Sequence, residues 1–114
     1  MDNNVIYIET ESGLKRVMNN LKLYAKLLLK FKEDPAINDL NAALTAGDLE
    51  KAKSAVHALK GLSANLSLIE LNRQSVGLEE QIKAQSVNPN QVDAVNNVYN
   101  QTIIEMDKVI NQYV

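Results

Sequence analysis

The chain holds a single histidine, His57, and the residues at helical spacing around it determine what that imidazole can do. If the segment is a helix, Glu50, Lys53, Lys60, Gly61 and Ala64 fall on or beside the His57 line at 100° per residue. The imidazole is then flanked by ammonium groups and by very small side chains. The apolar stripe of the same segment, Leu49, Ala52, Val56, Leu59, Ser63 and Leu66, centres roughly 130° away. His57 therefore points outward or to the flank, not into a core.

A neutral imidazole, with an unperturbed pKa of about 6.5, has a ring nitrogen available at neutral pH to attack phosphorus. Phosphoryl transfer asks mainly for positioning and charge neutralisation. Lys60 is adjacent to His57 on the helix surface and able to pair with phosphoryl oxygens, while Lys53, one turn back, adds weaker attraction. Gly61 fits the same chemistry. Glycine inside a helix costs about 1 kcal/mol relative to alanine, alanine occurs freely at neighbouring positions, and Gly61 faces away from the core side. An approaching partner accounts for it, whereas Gly77 reads as a place where two helices meet. His57 is the expected nucleophile and phosphoacceptor, Lys60 the phosphate-stabilising group, and Lys53, Gly61 and Ala64 the expected docking surface.

These side chains need a rigid scaffold, and apolar 3-4-3-4 spacing supplies four limbs. The first starts near Asn20 and carries Leu21, Tyr24, Leu28 and Phe31, then Ile37, Leu40 and Leu44. Asp34-Pro35 interrupts it. Proline either kinks a continuous helix or opens a fresh one at its first turn, and one long kinked limb is the favoured reading. Ala46-Gly47-Asp48 gives a glycine stop and an aspartate start before the His57 helix. The third limb carries Leu68, Leu71, Ser75, Leu78 and Ile82. After the Asn88-Pro89 turn, the fourth carries Val92, Val95, Tyr99, Thr102, Met106, Val109 and Tyr113. Ahead of these, Glu11 to Met18 reads as a short helix lidding one end, closed by Asn19-Asn20. The expected fold is all-α: an antiparallel up-and-down four-helix bundle with a short extra N-terminal helix, residues 1–114 forming one domain.

Composition narrows the function further. Of 114 residues, 12 are basic and 14 acidic, for a formal net charge of -2, and they are spread along the chain, so no cationic face offers itself to nucleic acid or anionic lipid. The absence of cysteine removes thiolate chemistry and, with one histidine, leaves poor material for a metal site. No stretch approaches the roughly 20 apolar residues of a membrane span. A cytoplasmic monomer without membrane insertion is the expectation, whether the chain stands alone or belongs to a larger protein. No GxxxxGK[ST] and no glycine-rich loop after a strand is present. Two rivals stand beside phosphoryl chemistry: an inert helical adaptor in which His57 is incidental, and a hydrolase using His57 with Glu50, Glu79 or Glu80, for which no serine nucleophile motif exists.

The run Ala55 to Leu66, AVHALKGLSANL, strongly resembles the histidine phosphotransfer domains of phosphorelays, whose signature is His-x-x-Lys-Gly followed by small residues. Upstream, LKLYAKLLLKFKED and AALTAGDLEKAKSAVH are similar to that family's second helix and turn, and Leu71 and Leu78-Glu79 fall where its third helix packs; the resemblance spans Leu14 to Ile82. It implies that His57 is phosphorylated on its outer ring nitrogen, that Lys60 steadies the phosphate and that Gly61 admits a docking receiver domain. It further implies a stoichiometric phosphocarrier without autokinase activity or an intrinsic cofactor. Such a carrier takes a phosphoryl group from one receiver-domain aspartate and passes it to another. The receivers, from response regulators or hybrid sensor kinases, supply Mg²⁺. Where the family usually has glycine this chain has Ser67, which leaves the exit of the His57 helix open.

Overall fold

The computed structural model describes residues 5–113, among which there are six helices and no strand. They are α1 (Thr10–Lys15), α2 (Leu21–Lys32), α3 (Ala36–Ala46), α4 (Leu49–Asn65), α5 (Ile69–Lys83) and α6 (Pro89–Tyr113). The fold is a helical bundle in which α4 packs on α3 and α5, α5 on α6, and α6 on α2. No described helix is long and apolar enough to cross a membrane.

Helix ends follow local chemistry. Asn20 opens α2 by accepting from the Leu23 N–H at 3.0 Å, and Asp48 opens α4 by accepting from Lys51 N–H at 3.1 Å. Gly47 closes α3 in the left-handed region, φ +72°, with the Asp48 N–H reaching back to the Ala43 carbonyl at 2.9 Å.

The favoured kink at Pro35 is corrected: the limb breaks into α2 and α3. Proline has no N–H and its ring clashes with the preceding turn, so the Glu33 and Asp34 N–H groups fall back on the Lys30 and Phe31 carbonyls. The Asp34 carboxylate then accepts from the Ala36 N–H at 2.9 Å and starts α3. The break lets α2 follow α6 while α3 follows α4. Reciprocal amide bonds of 2.8 and 3.0 Å between Asn41 and Asn96 still tie α3 to α6.

Apart from Leu21, which at the first position of α2 stays 44% exposed, the apolar stripes turn inward as spaced, with Tyr24, Leu28, Leu40, Val56, Leu59, Leu71, Leu78 and Met106 all at 1% exposure or less. The last limb differs at its end. Val95, Thr102 and Met106 are buried, but the next buried residue is Ile110, and Val109 and Tyr113 are only half-buried. A strict 3-4 pattern drifts by about 20° per heptad on a straight helix, and over the length of α6 that turns a different residue inward.

Ser67 resolves the exit of α4. It adopts φ +60°, a conformation that glycine reaches without a Cβ penalty and serine reaches with strain. The surroundings hold it there: its hydroxyl hydrogen-bonds Ser12 Oγ at 2.7 Å, its carbonyl accepts from the Glu9 N–H at 2.9 Å, and the Leu68 N–H bonds the Ser63 carbonyl at 2.8 Å. α1 thus sits over the α4–α5 joint. It ends at Lys15, three residues short of the expected Met18, because Met18 and Asn19 both take positive φ. Beneath it, Tyr24 donates its hydroxyl to the Leu66 carbonyl at 2.8 Å.

Gly13 is where α1 presses on that tyrosine: a Cβ there would lie 2.6 Å from Tyr24 Cζ. Gly13→Ala should therefore destabilise the fold by about 1–3 kcal/mol through overpacking, read as a lower urea midpoint with an unchanged slope; an unchanged midpoint would show that α1 does not clamp the joint.

Candidate functional site

The site is built where α4 faces α5. Burial of Ala52, Val56, Leu59 and Ser63 fixes the rotation of α4, and the His57 side chain consequently remains 70% exposed. On α5, the stripe Leu71, Ser75, Leu78 and Ile82 turns inward and takes Glu79 with it, leaving that residue 4% exposed. The cross-helix bonds run in opposite sequence directions. Asn72 Nδ2 donates to the Lys60 carbonyl at 2.9 Å, and further along α5 Glu79 reaches back to His57.

Glu79 joins the two predicted chemical residues. Its Oε2 lies 2.9 Å from His57 Nδ1 and its Oε1 accepts from Lys60 Nζ at 2.7 Å. The Lys60 hydrogen bond is the main reason the Glu79 carboxyl titrates below its ordinary value. Burial opposes the shift, and the bond to His57 with the charges of Lys60 and Lys83 reinforces it. An ionised carboxylate has only lone pairs to offer, so the proton of this contact belongs to Nδ1, and in the neutral ring Nε2 is the nitrogen with the free lone pair. Nε2 makes no hydrogen bond among the described residues.

Gly61 is exposed, and a Cβ placed on it would meet nothing within 4 Å. No internal packing calls for glycine there. Gly77 contrasts with it, since its Cβ would come 3.3 Å from the Gln91 amide of α6. Ala64 is exposed one turn beyond Lys60. Lys53 lines a shallow depression of about 440 Å³ around His57, together with Glu50, Ser54, Glu79 and Lys83. The structure thus brings His57 and Lys60 together through Glu79, places Lys53 at the edge of the same depression, and leaves Gly61 and Ala64 as open surface on α4. Larger recesses lie between α2 and α4 and between α3 and α4; neither includes His57.

Glu79 is the residue that sequence reasoning left without a role in phosphoryl chemistry, weighing it only as a hydrolytic carboxylate. Its signal was available. Position 79 lies four residues after Ser75 and three before Ile82, on the inward face of α5, and a charge on such a face must find a partner. Glu80, by contrast, is exposed and joins none of these bonds. Among the described residues, no group of three or more His, Cys, Asp or Glu side chains is placed to hold a metal ion.

A family model described as Hpt domain matches residues 29–110. No curated protein and no solved structure matches the chain.

Because the folded-state pKa of Glu79 lies below its ordinary value of 4.5, the ionised bridge stabilises the fold fully above that value and is lost as pH falls through the lowered one. Acid titration of stability should accordingly be steeper for the wild type than for Glu79→Gln, whose amide does not titrate. Superimposable acid profiles would mean that Glu79 is not held ionised by His57 and Lys60.

Proposed function

The chain belongs to the Hpt domain family, and so to phosphorelay histidine phosphotransfer, and we propose that His57 accepts a phosphoryl group from a receiver-domain aspartate and passes it to a second receiver-domain aspartate. The observation that carries this reading is an exposed imidazole whose inner nitrogen is held by a buried carboxylate, so that Nε2 faces outward beside the open surface of Gly61.

In the first transfer, the Nε2 lone pair attacks the phosphorus of the receiver's aspartyl phosphate. The P–O bond to the carboxylate breaks and its electron pair leaves on the aspartate. Nδ1 keeps its proton, so the positive charge of the phosphorylated ring lies against Glu79. Passing the group on reverses these movements, with the second receiver's carboxylate attacking phosphorus and the N–P electron pair returning to Nε2. Glu79 thereby favours phosphorylation in one direction while keeping the ring a competent leaving group in the other. Lys60, through its charge on Glu79 and its place beside His57, stabilises the loaded state. Mg²⁺ and most of the catalytic groups come from the receivers, which belong to response regulators or hybrid sensor kinases.

A protein that hands a group between two other active sites needs its nucleophile exposed, which suits the shallow His57 depression. On this reading the chain is a carrier without autokinase activity, working as a cytoplasmic monomer. Its α2–α3 limb, α4, α5 and α6 form an antiparallel up-and-down bundle, capped by α1 and folding as one domain. Lys53, Gly61 and Ala64 line the face that a receiver covers.

Incubation with labelled phospho-receivers should place acid-labile, alkali-stable label on the wild type and none on His57→Gln, with helicity unchanged; a wild type that takes no label from any of several cognate receivers contradicts the proposal. Gly61→Leu should slow transfer about tenfold or more, equivalent to about 1.4 kcal/mol lost in docking, while the urea midpoint holds or rises, since the position is open and leucine is the better helix former. Lys60→Ala should shorten the lifetime of the phosphohistidine in a bundle that remains folded but is less stable, because the buried Glu79 carboxylate loses one of its two partners; equal lifetimes would remove Lys60 from the site.

A further inference from the structure

A phosphoryl group on Nε2 brings close to two negative charges to the outer end of His57, while the inner end of the same ring already rests on the Glu79 carboxylate. Something must offset that charge. Lys60 is engaged: its ammonium is 2.7 Å from Glu79 Oε1, so the bonded Glu79–Lys60 pair is neutral as a unit.

The depression around His57 is lined by two further cations, Lys53 and Lys83. Lys53 stands on the same helix as His57, one turn back, and three residues after Glu50. Lys83 has a different position. It follows Glu79 by four residues on α5, so it projects from the same face one turn on, and from the helix opposite His57. Lys53 and Lys83 are both exposed, neither makes an ion pair among the described residues, and each follows a carboxylate by three residues, Glu50 and Glu80; what distinguishes Lys83 is its place across the depression, on the Glu79 helix. Its charge already acts on the Glu79 carboxyl.

We propose that Lys83 is the cation that binds the phosphoryl oxygens of phosphorylated His57, reaching across the depression from α5 while Lys60 remains on Glu79. The inference rests on His57 being the phosphoacceptor, and it divides two tasks between two lysines. Lys60 holds the carboxylate that orients the ring, and Lys83 neutralises the group that the ring carries. A long, flexible ammonium is suited to this, because it can close over the phosphoryl group and withdraw when a receiver presents its own cations.

Phosphoramidate, a donor that needs no receiver, separates this role from docking: its P–N bond breaks, ammonia leaves, and phosphorus bonds to Nε2. On wild-type protein loaded this way, ³¹P NMR titration follows the last ionisation of the phosphoryl group. A nearby cation favours the dianion, so Lys83→Ala should raise that ionisation by about half a pH unit and shorten the phosphohistidine lifetime several-fold. Lys83→Arg should restore both, and circular dichroism should show the same fold throughout. Loading of the wild type with an unshifted titration and equal lifetime in Lys83→Ala would overturn the Lys83 assignment and leave the carrier function standing, as would a shift found only in Lys53→Ala or Lys60→Ala. A wild type that phosphoramidate does not load at His57 would remove the premise itself.

Discussion

A carboxylate withdrawn from water has to be paired, and the pairing of Glu79 organises this molecule. Its two oxygens face two different residues of α4, His57 Nδ1 and Lys60 Nζ. The carboxylate therefore sets the ring orientation and the charge beside it at once. Neither α4 residue is buried enough to be fixed by packing, since the His57 side chain is 70% and the Lys60 side chain 31% exposed. What restrains them is the buried partner on the next helix. Neutralising Glu79 removes the preference for a proton on Nδ1, and with it the reason for Nε2 to carry the free lone pair.

That pairing depends on register, and register depends on the α4–α5 joint. Ser67 turns the chain in the left-handed region, and the Leu68 N–H to Ser63 carbonyl bond closes the turn. From there the helices run back along each other, with Asn72 meeting Lys60 and Glu79 meeting His57. One residue more or less in the joint would rotate α5 by about 100° and carry Glu79 off the imidazole. The strain at Ser67 is balanced by Ser12 and Glu9 of the N-terminal segment. A short helix far from His57 in sequence therefore contributes to the placement of the imidazole.

Much of this is legible in the sequence because helical phase is periodic and local. The stripe through Ala52, Val56, Leu59 and Ser63 places His57 outside, and Gly47-Asp48 marks a stop and a start. Gly61 stands out because a helix interior rarely tolerates glycine without a reason. The features that escape depend on tertiary partners. Whether Pro35 kinks or breaks its limb is decided by the Asp34 side chain and by the different partners of α2 and α3. Ile110 replaces Val109 in the core because phase drift accumulates along α6. Glu79 shows its position on the inward face of α5 but not its partners, which lie on another helix and meet it only through the joint.

On the proposed function, Glu79 holds the proton on Nδ1 and so directs the phosphoryl group to Nε2. ¹⁵N–¹H correlation spectra of the His57 ring, recorded on the free protein and again after phosphorylation, test it most directly. A ring whose neutral form is protonated at Nδ1 before loading, and phosphorus coupled to Nε2 after it, are the expected results. A free ring protonated at Nε2, or phosphorus on Nδ1, would contradict it.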